Sequence, residues 1–177
     1  KTLGIRKKEL TTFTAGSGIG KSQICREIAY HLLKAGETLG YVALEESTKR
    51  TALGLMSLEL NKPLHLSTEG IPEDALKQAY TATVGSGHCY LYDHFGSCDS
   101  DNLIARIRYL ANGCGCGWVV LDHLSIVVSG IGDGDERRLI DNTMTKLRSL
   151  VQETGIGLIL VSHLKRPEGN IGHEDGA

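Results

Sequence analysis

Short, nearly continuous apolar runs alternate along this chain with stretches in which apolar residues return every three or four positions. Five runs read as strands: Leu10 to Thr14, Leu39 to Leu44, Cys89 to Tyr92, Trp118 to Leu121 and Leu158 to Val161. Between them the helical period takes over. Ile24, Ile28 and Leu32 repeat every four residues and Gly36 follows as a stop. Leu103, Ile107 and Leu110 form a second stripe, with Asp99, Ser100 and Asp101 in front of it to cap the helix. Ile140, Met144, Leu147 and Val151 make the clearest stripe, and Ser47 to Leu60 and Pro72 to Val84 also read as helices. Strands that alternate with helices in this way predict an α/β fold, a mostly parallel central sheet with helices on both faces. No internal repeat and no low-complexity tract interrupts the pattern.

The 177 residues, 41% of them hydrophobic, suit one domain with a single substantial core. The absence of an initiating methionine and the polar stretch from Arg166 to Ala177 lead us to expect a fragment of a longer protein. No apolar run approaches the roughly 20 residues that span a bilayer, and no basic start with a small-residue cleavage site precedes the first strand. A soluble intracellular protein is the expectation. Nineteen basic against 21 acidic residues leave a formal net charge of −2, so there is no general basic field, and any nucleic-acid contact must be local. Cys25, Cys89, Cys98, Cys114 and Cys116 are odd in number and irregular in spacing, which does not make a disulfide framework. Cys114 and Cys116 could open a metal site, but no second Cys or His pair stands at ligand spacing. A Gly-rich turn is the simpler reading.

Immediately after the first strand stands AGSGIGKS, Ala15, Gly16, Ser17, Gly18, Ile19, Gly20, Lys21 and Ser22, and it opens the first helix. Strand, glycine loop, Gly-Lys-Ser and amphipathic helix in that order are what a Walker A phosphate loop requires. The glycines let backbone N–H groups turn toward a polyphosphate, and the helix N-terminus adds the positive end of its dipole. Lys21 then neutralises the β- and γ-phosphates, and the Ser22 hydroxyl coordinates Mg²⁺. Ala15 replaces the first glycine of the strict pattern, a change that a small residue can absorb.

The run WVVLDH is a buried strand that ends in an acid, Asp122, suited to hold the water shell of Mg²⁺. Without the phosphate loop upstream, a strand-end cap would be the better reading of that aspartate. The second strand ends in Leu44, Glu45, Glu46 and Ser47, placing two acids at the carboxyl edge of the sheet, where open α/β folds bind ligands. Hydrolysis needs a group that activates water, and Glu45, directly at the strand end, is the better placed. Glu46 suits the first turn of the following helix, where an acid meets the helix dipole. The last strand, GLILVSH, brings Ser162 and His163 to the same edge, where His163 is either structural or a sensor of the γ-phosphate.

The segment LDHLSIVVSGIGDGDERRLIDNTMTKLR, together with AGSGIGKS, LEES and VSHLKRP, closely resembles the helicase domain of phage bifunctional primase-helicases and of mitochondrial Twinkle. Both are DnaB-type ring helicases on a RecA fold. The likeness covers nearly the whole chain and implies that residues 1–177 form one RecA-like ATPase core, and KTLGIRKKEL resembles the segment that follows the interdomain linker in those proteins. It implies an enzyme that hydrolyses ATP or dTTP with Mg²⁺ to drive a homo-oligomeric ring, a hexamer, along single-stranded DNA. It makes Lys21 and Ser22 the phosphate and magnesium residues, Asp122 the Walker B acid, Glu45 the catalytic base and His163 the γ-phosphate sensor.

In such proteins the loop after the last strand grips DNA. Here that loop begins with Lys165, Arg166 and Pro167, and it continues through Glu168, Gly169, Asn170 and Ile171 with fewer basic residues than the family carries. The family's later motif and its arginine finger, worth about 10³ to 10⁵ in rate in related systems, are not found, nor is its linker helix. The resemblance therefore implies that this piece binds nucleotide better than it hydrolyses it. It also implies a primase domain and replisome proteins as partners, no membrane, and the cytoplasm of a phage-infected or bacterial cell, or the mitochondrial matrix for a Twinkle-like protein. The competing readings are a RecA- or RadA-like recombination or repair ATPase that forms filaments on DNA, and a nucleotide switch. A pure switch has less need of both Glu45 and Asp122.

Overall fold

The computed structural model describes residues 4–16, 18–93, 99–124 and 133–163, with the side chains of all of these except 133–137 and 163. Among the described residues one five-stranded sheet forms from β1 (Leu10–Ala15), β2 (Leu39–Ala43), β3 (Cys89–Tyr92), β4 (Trp118–Asp122) and β5 (Gly157–His163). Its order is β1-β5-β4-β2-β3, and every neighbouring pair is parallel. The helices are α1 (Lys21–Lys34), α2 (Thr48–Leu60), α3 (Glu73–Ala82), α4 (Ser100–Asn112) and α5 (Asp133–Thr154). The expected strands and helices all form. β1, β4 and β5 run further at their carboxyl ends than their apolar runs suggested, taking in Ala15, Asp122, Ser162 and His163.

Alternate residues of the buried strands feed two separate cores, as a strand's period of two requires. Val119 and Leu121 of β4 pack with Leu103 and Ile107 of α4 and with Leu147, Leu150 and Val151 of α5 on one face. Val120 and Trp118 pack with Cys25, Ala29 and Leu33 of α1 and with Leu55 of α2 on the other. A small third cluster, Met56, Leu64 and Ala79, joins α2 to α3.

α1 ends as its sequence predicts. Gly36 takes a positive φ of 81°, and the N–H groups of Glu37 and Gly36 donate to the carbonyls of Leu32 and Leu33, both at 3.0 Å. This is the Schellman arrangement. Its buried stripe, however, lies one residue on from the expected one. Cys25, Ala29 and Leu33 face the sheet, Ile28 and Leu32 flank them, and Ile24 is 49% exposed. The helix leaves the phosphate loop directly against the strands, and the small side chains of Cys25 and Ala29 allow that close approach. α2 starts at Ser47, whose hydroxyl accepts from the Arg50 N–H at 3.3 Å, the capping bond that an N-cap serine offers. Asp99 takes the N-cap of α4.

Among the described residues no group of three or more His, Cys, Asp and Glu side chains could hold a metal ion, and Cys114 and Cys116 are free thiols. Among them, too, no helix is long and apolar enough to cross a membrane.

Candidate nucleotide site

The carboxyl ends of β1, β4 and β2 open onto one cavity of about 760 Å³. Gly18, Gly20, Lys21 and Ser22 line one side of it, Asp122 and His123 its floor, and Glu45 and Glu46 the other side. The parallel sheet places them together: each strand delivers its carboxyl end, and the loop that follows, to the same edge.

The phosphate loop folds as its glycines dictate. Gly18 and Gly20 have φ of 81° and 92°, left-handed backbone that a side chain would strain, and Gly20 is the N-cap of α1. Ala15 is the last residue of β1, in extended backbone where a β-carbon costs nothing, which explains why alanine serves in the first glycine position. Lys21 is 7% exposed and its ammonium donates to the carbonyls of Ala15 and Gly16 at 2.7 and 2.6 Å. The loop's own carbonyls thus hold the lysine where phosphate oxygens can replace them. Ile19 is 62% exposed and does not line the cavity. Ser17 lies outside the described residues.

Asp122 ends β4 beneath this loop and is 5% exposed. Burial raises its carboxyl above the ordinary aspartate range, and a hydrogen bond from the Ser22 hydroxyl opposes the rise. One carboxylate oxygen, Oδ1, is buried with no hydrogen-bond partner among the described residues. A hydroxyl and a carboxylate with an unused oxygen, side by side under a phosphate loop, form an oxygen donor set that fits Mg²⁺.

The two glutamates after β2 differ sharply. The Leu44 N–H still donates to the Asp122 carbonyl at 2.7 Å, so Glu45 stands one residue past the last bond to β4. Its side chain is 53% exposed, and Oε1 lies 2.5 Å from Nε2 of the buried His123. Glu46 turns the other way. Its Oε2 meets the Arg26 guanidinium at 2.5 Å, with Arg50 at 3.7 Å, and its Oε1 accepts from the Thr51 hydroxyl at 2.8 Å.

The main chain of His163 pairs with Ala15 at the end of β5, beside the start of the phosphate loop. Lys165 and Arg166 lie outside the described residues. Gln23, Arg26, Arg50 and His123 also line the cavity. No motif marks them. No sequence signal beside it marks Arg26, whereas His123 could have been found by following an acid at a strand end.

A glycine loop between strand and helix, and an acid on a strand separated from the loop's own strand by one other, define a P-loop nucleotide-binding protein. Two solved structures share the fold. The ATPase domain of G40P matches with a TM-score of 0.73 at 14% identity, covering 92% of this chain and 60% of that one. A DnaB-like replicative helicase, described together with its interactions with primase, matches at 0.76 and 14%, covering 92% of this chain and 40% of that one. The fold is therefore that of RecA-like helicase ATPase domains. In sequence, a DNA helicase/primase of Enterobacteria phage T3 is 40% identical over 181 residues, and the match takes in 99% of this chain and 32% of the relative's length. The model of the DnaB-like helicase C-terminal domain matches residues 1–171, and the chain belongs to that family.

Proposed function

We propose that residues 1–177 act as one RecA-like ATPase core that hydrolyses ATP or dTTP with Mg²⁺ and drives a homo-hexameric ring along single-stranded DNA to unwind duplex. One observation carries the hydrolytic part: a half-exposed carboxylate, Glu45, stands in the same cavity as Lys21, Ser22 and Asp122. Lys21 exchanges its two carbonyl partners for the β- and γ-phosphates. Ser22 and Asp122 hold Mg²⁺, which when bound neutralises charge on those phosphates. Gly16, Ser17, Gly18, Ile19 and Gly20 present backbone N–H groups to the polyphosphate.

Glu45 takes the proton of the attacking water. Glu46 is unsuited to that task, because both of its oxygens are already engaged. His163 reads the γ-phosphate from its place opposite Ala15.

The DNA-contacting residues are Lys165 and Arg166, in the loop after β5. A ring presents that loop once per subunit, so affinity for the strand comes from several weak contacts acting together. A primase domain and replisome proteins are the further partners, and the cytoplasm of a phage-infected or bacterial cell is the place of action. The family match favours this reading over a filament-forming recombinase.

The test is turnover and strand displacement by the intact protein. Glu45→Gln keeps shape and hydrogen bonding but removes basicity, so hydrolysis and unwinding should collapse while nucleotide affinity survives. Lys21→Ala should lose affinity itself. A Glu45→Gln protein that hydrolyses like the wild type, or a Lys21→Ala protein with wild-type affinity, refutes the assignment.

A further inference from the structure

We propose that Arg26 is a positioning residue for Glu45: through its ion pair with Glu46 it ties the phosphate-loop helix to the turn that carries the water-activating acid. The inference rests on the assignment of Glu45 as base. Arg26 and Glu46 are only 12% and 13% exposed, and their contact is 2.5 Å. Arg26 stands on α1, five residues after Lys21, and Glu46 is the neighbour of Glu45. The two halves of the site, the one that holds phosphate and the one that holds the attacking water, are thus joined by one charged contact at the rim of the cavity.

The surroundings are built around this pair. Thr51 holds the second oxygen of Glu46 from the first turn of α2. Gly54, on the same helix, faces the arginine. A β-carbon there would stand 2.7 Å from Arg26 Cδ and 2.8 Å from its Nε, so any side chain would push the guanidinium aside. Glycine inside a helix is unfavourable, and the space it leaves is filled by Arg26. A buried ion pair adds little net stability over an apolar pair of similar volume, so stability alone gives no reason for this arrangement. Register between two catalytic elements does. The backbone on either side of Glu45 is pinned, at Leu44 by the Asp122 carbonyl and at Glu46 by Arg26 and Thr51, which leaves the Glu45 side chain to face the cavity.

The test is made in the intact protein with Mg²⁺ and ATP. Arg26→Gln should lower kcat about a hundredfold, the effect of misplacing a reacting group by roughly 1 Å, with the Kd of a fluorescent non-hydrolysable ATP analogue unchanged. Gly54→Ala, which displaces the guanidinium while keeping every charge, should lower kcat in the same sense. Placed in a Glu45→Gln background, neither change should lower the residual single-turnover rate further, because an absent base cannot be misplaced. Where Arg26→Gln folds poorly by circular dichroism, Gly54→Ala supplies the same comparison.

Full additivity with Glu45→Gln overturns the inference. So does wild-type kcat in a folded Arg26→Gln protein beside an inactive Glu45→Gln. A Glu45→Gln protein that turns over like the wild type removes the base assignment itself, and the inference with it.

Discussion

Asp122→Asn should stabilise the nucleotide-free protein while abolishing its response to Mg²⁺. The Asp122 side chain is 5% exposed, and its Oδ1 has no hydrogen-bond partner among the described residues. A buried polar group left unsatisfied costs about 1–3 kcal/mol, and more when it is charged. Asparagine keeps the shape and an acceptor for the Ser22 hydroxyl, removes the charge, and leaves a neutral amide in place of the unpartnered oxygen. Part of the cost is recovered, about 1 kcal/mol, which for a domain of this size raises Tm by about 2–4 °C.

With Mg²⁺ and nucleotide the order should reverse. The wild type then gains stability from a ligand that only the folded state binds, and the variant gains far less. The effect also depends on pH. Burial raises the carboxyl of Asp122 in the folded state, so the native protein holds that proton more tightly than the unfolded chain does. The penalty is absent below the ordinary aspartate range and grows as pH rises through the folded-state pKa. In EDTA the two melting curves should therefore coincide in acid and separate toward neutral pH. Thermal melts followed by circular dichroism measure all of this. An Asp122→Asn protein that melts below the wild type in EDTA at neutral pH, or that keeps the full Mg²⁺-nucleotide stabilisation, refutes the reasoning.

Two further outcomes concern the core. A β-carbon at Gly157 would stand 2.2 Å from the Trp118 ring on the adjacent strand, so Gly157→Ala should destabilise by about 1–3 kcal/mol, as overpacking does. A melt of that variant that matches the wild type would show that the ring can move aside at no cost. Burial pushes the thiols of Cys25 and Cys116 up to about 12, so in the folded protein neither should react with iodoacetamide near neutral pH. Peptide mass spectrometry before and after denaturation reads this directly, and labelling of either cysteine in the native protein contradicts it.

The sheet was legible because its inner strands, β2, β4 and β5, are short apolar runs buried for most of their length. The strand ends were less so. Ala15, Asp122, Ser162 and His163 belong to the strands, yet they are small or polar residues, and a rule that follows hydrophobicity stops short of them. The face of α1 was misread by one residue for a related cause. Helices that begin at a phosphate loop lie close to the sheet, and the residues that permit this, Cys25 and Ala29, are smaller than the isoleucines beside them. The phosphate loop and Asp122 could be read from motif and context together. Arg26 could not. Its partner stands 20 residues away, and the one local hint is a glycine, Gly54, inside an otherwise good helix.

Glu45 and Glu46 show how surroundings, rather than residue type, divide the work at this edge. The sequence offers two identical carboxylates in succession, and position alone favoured the first. In the fold, the two side chains leave the turn after β2 toward different partners. Glu46 is thereby turned toward α1 and α2, where Arg26, Arg50 and Thr51 take up both of its oxygens. Glu45 keeps 53% of its side chain open to the cavity, with His123 beside one oxygen. An acid that must take a proton from water needs that opening, and an acid that must hold a turn in place needs the opposite. On the proposed assignment the pair acts as a unit, the second residue fixing the backbone from which the first reaches, and exchanging their environments should remove both functions without changing the composition of the site.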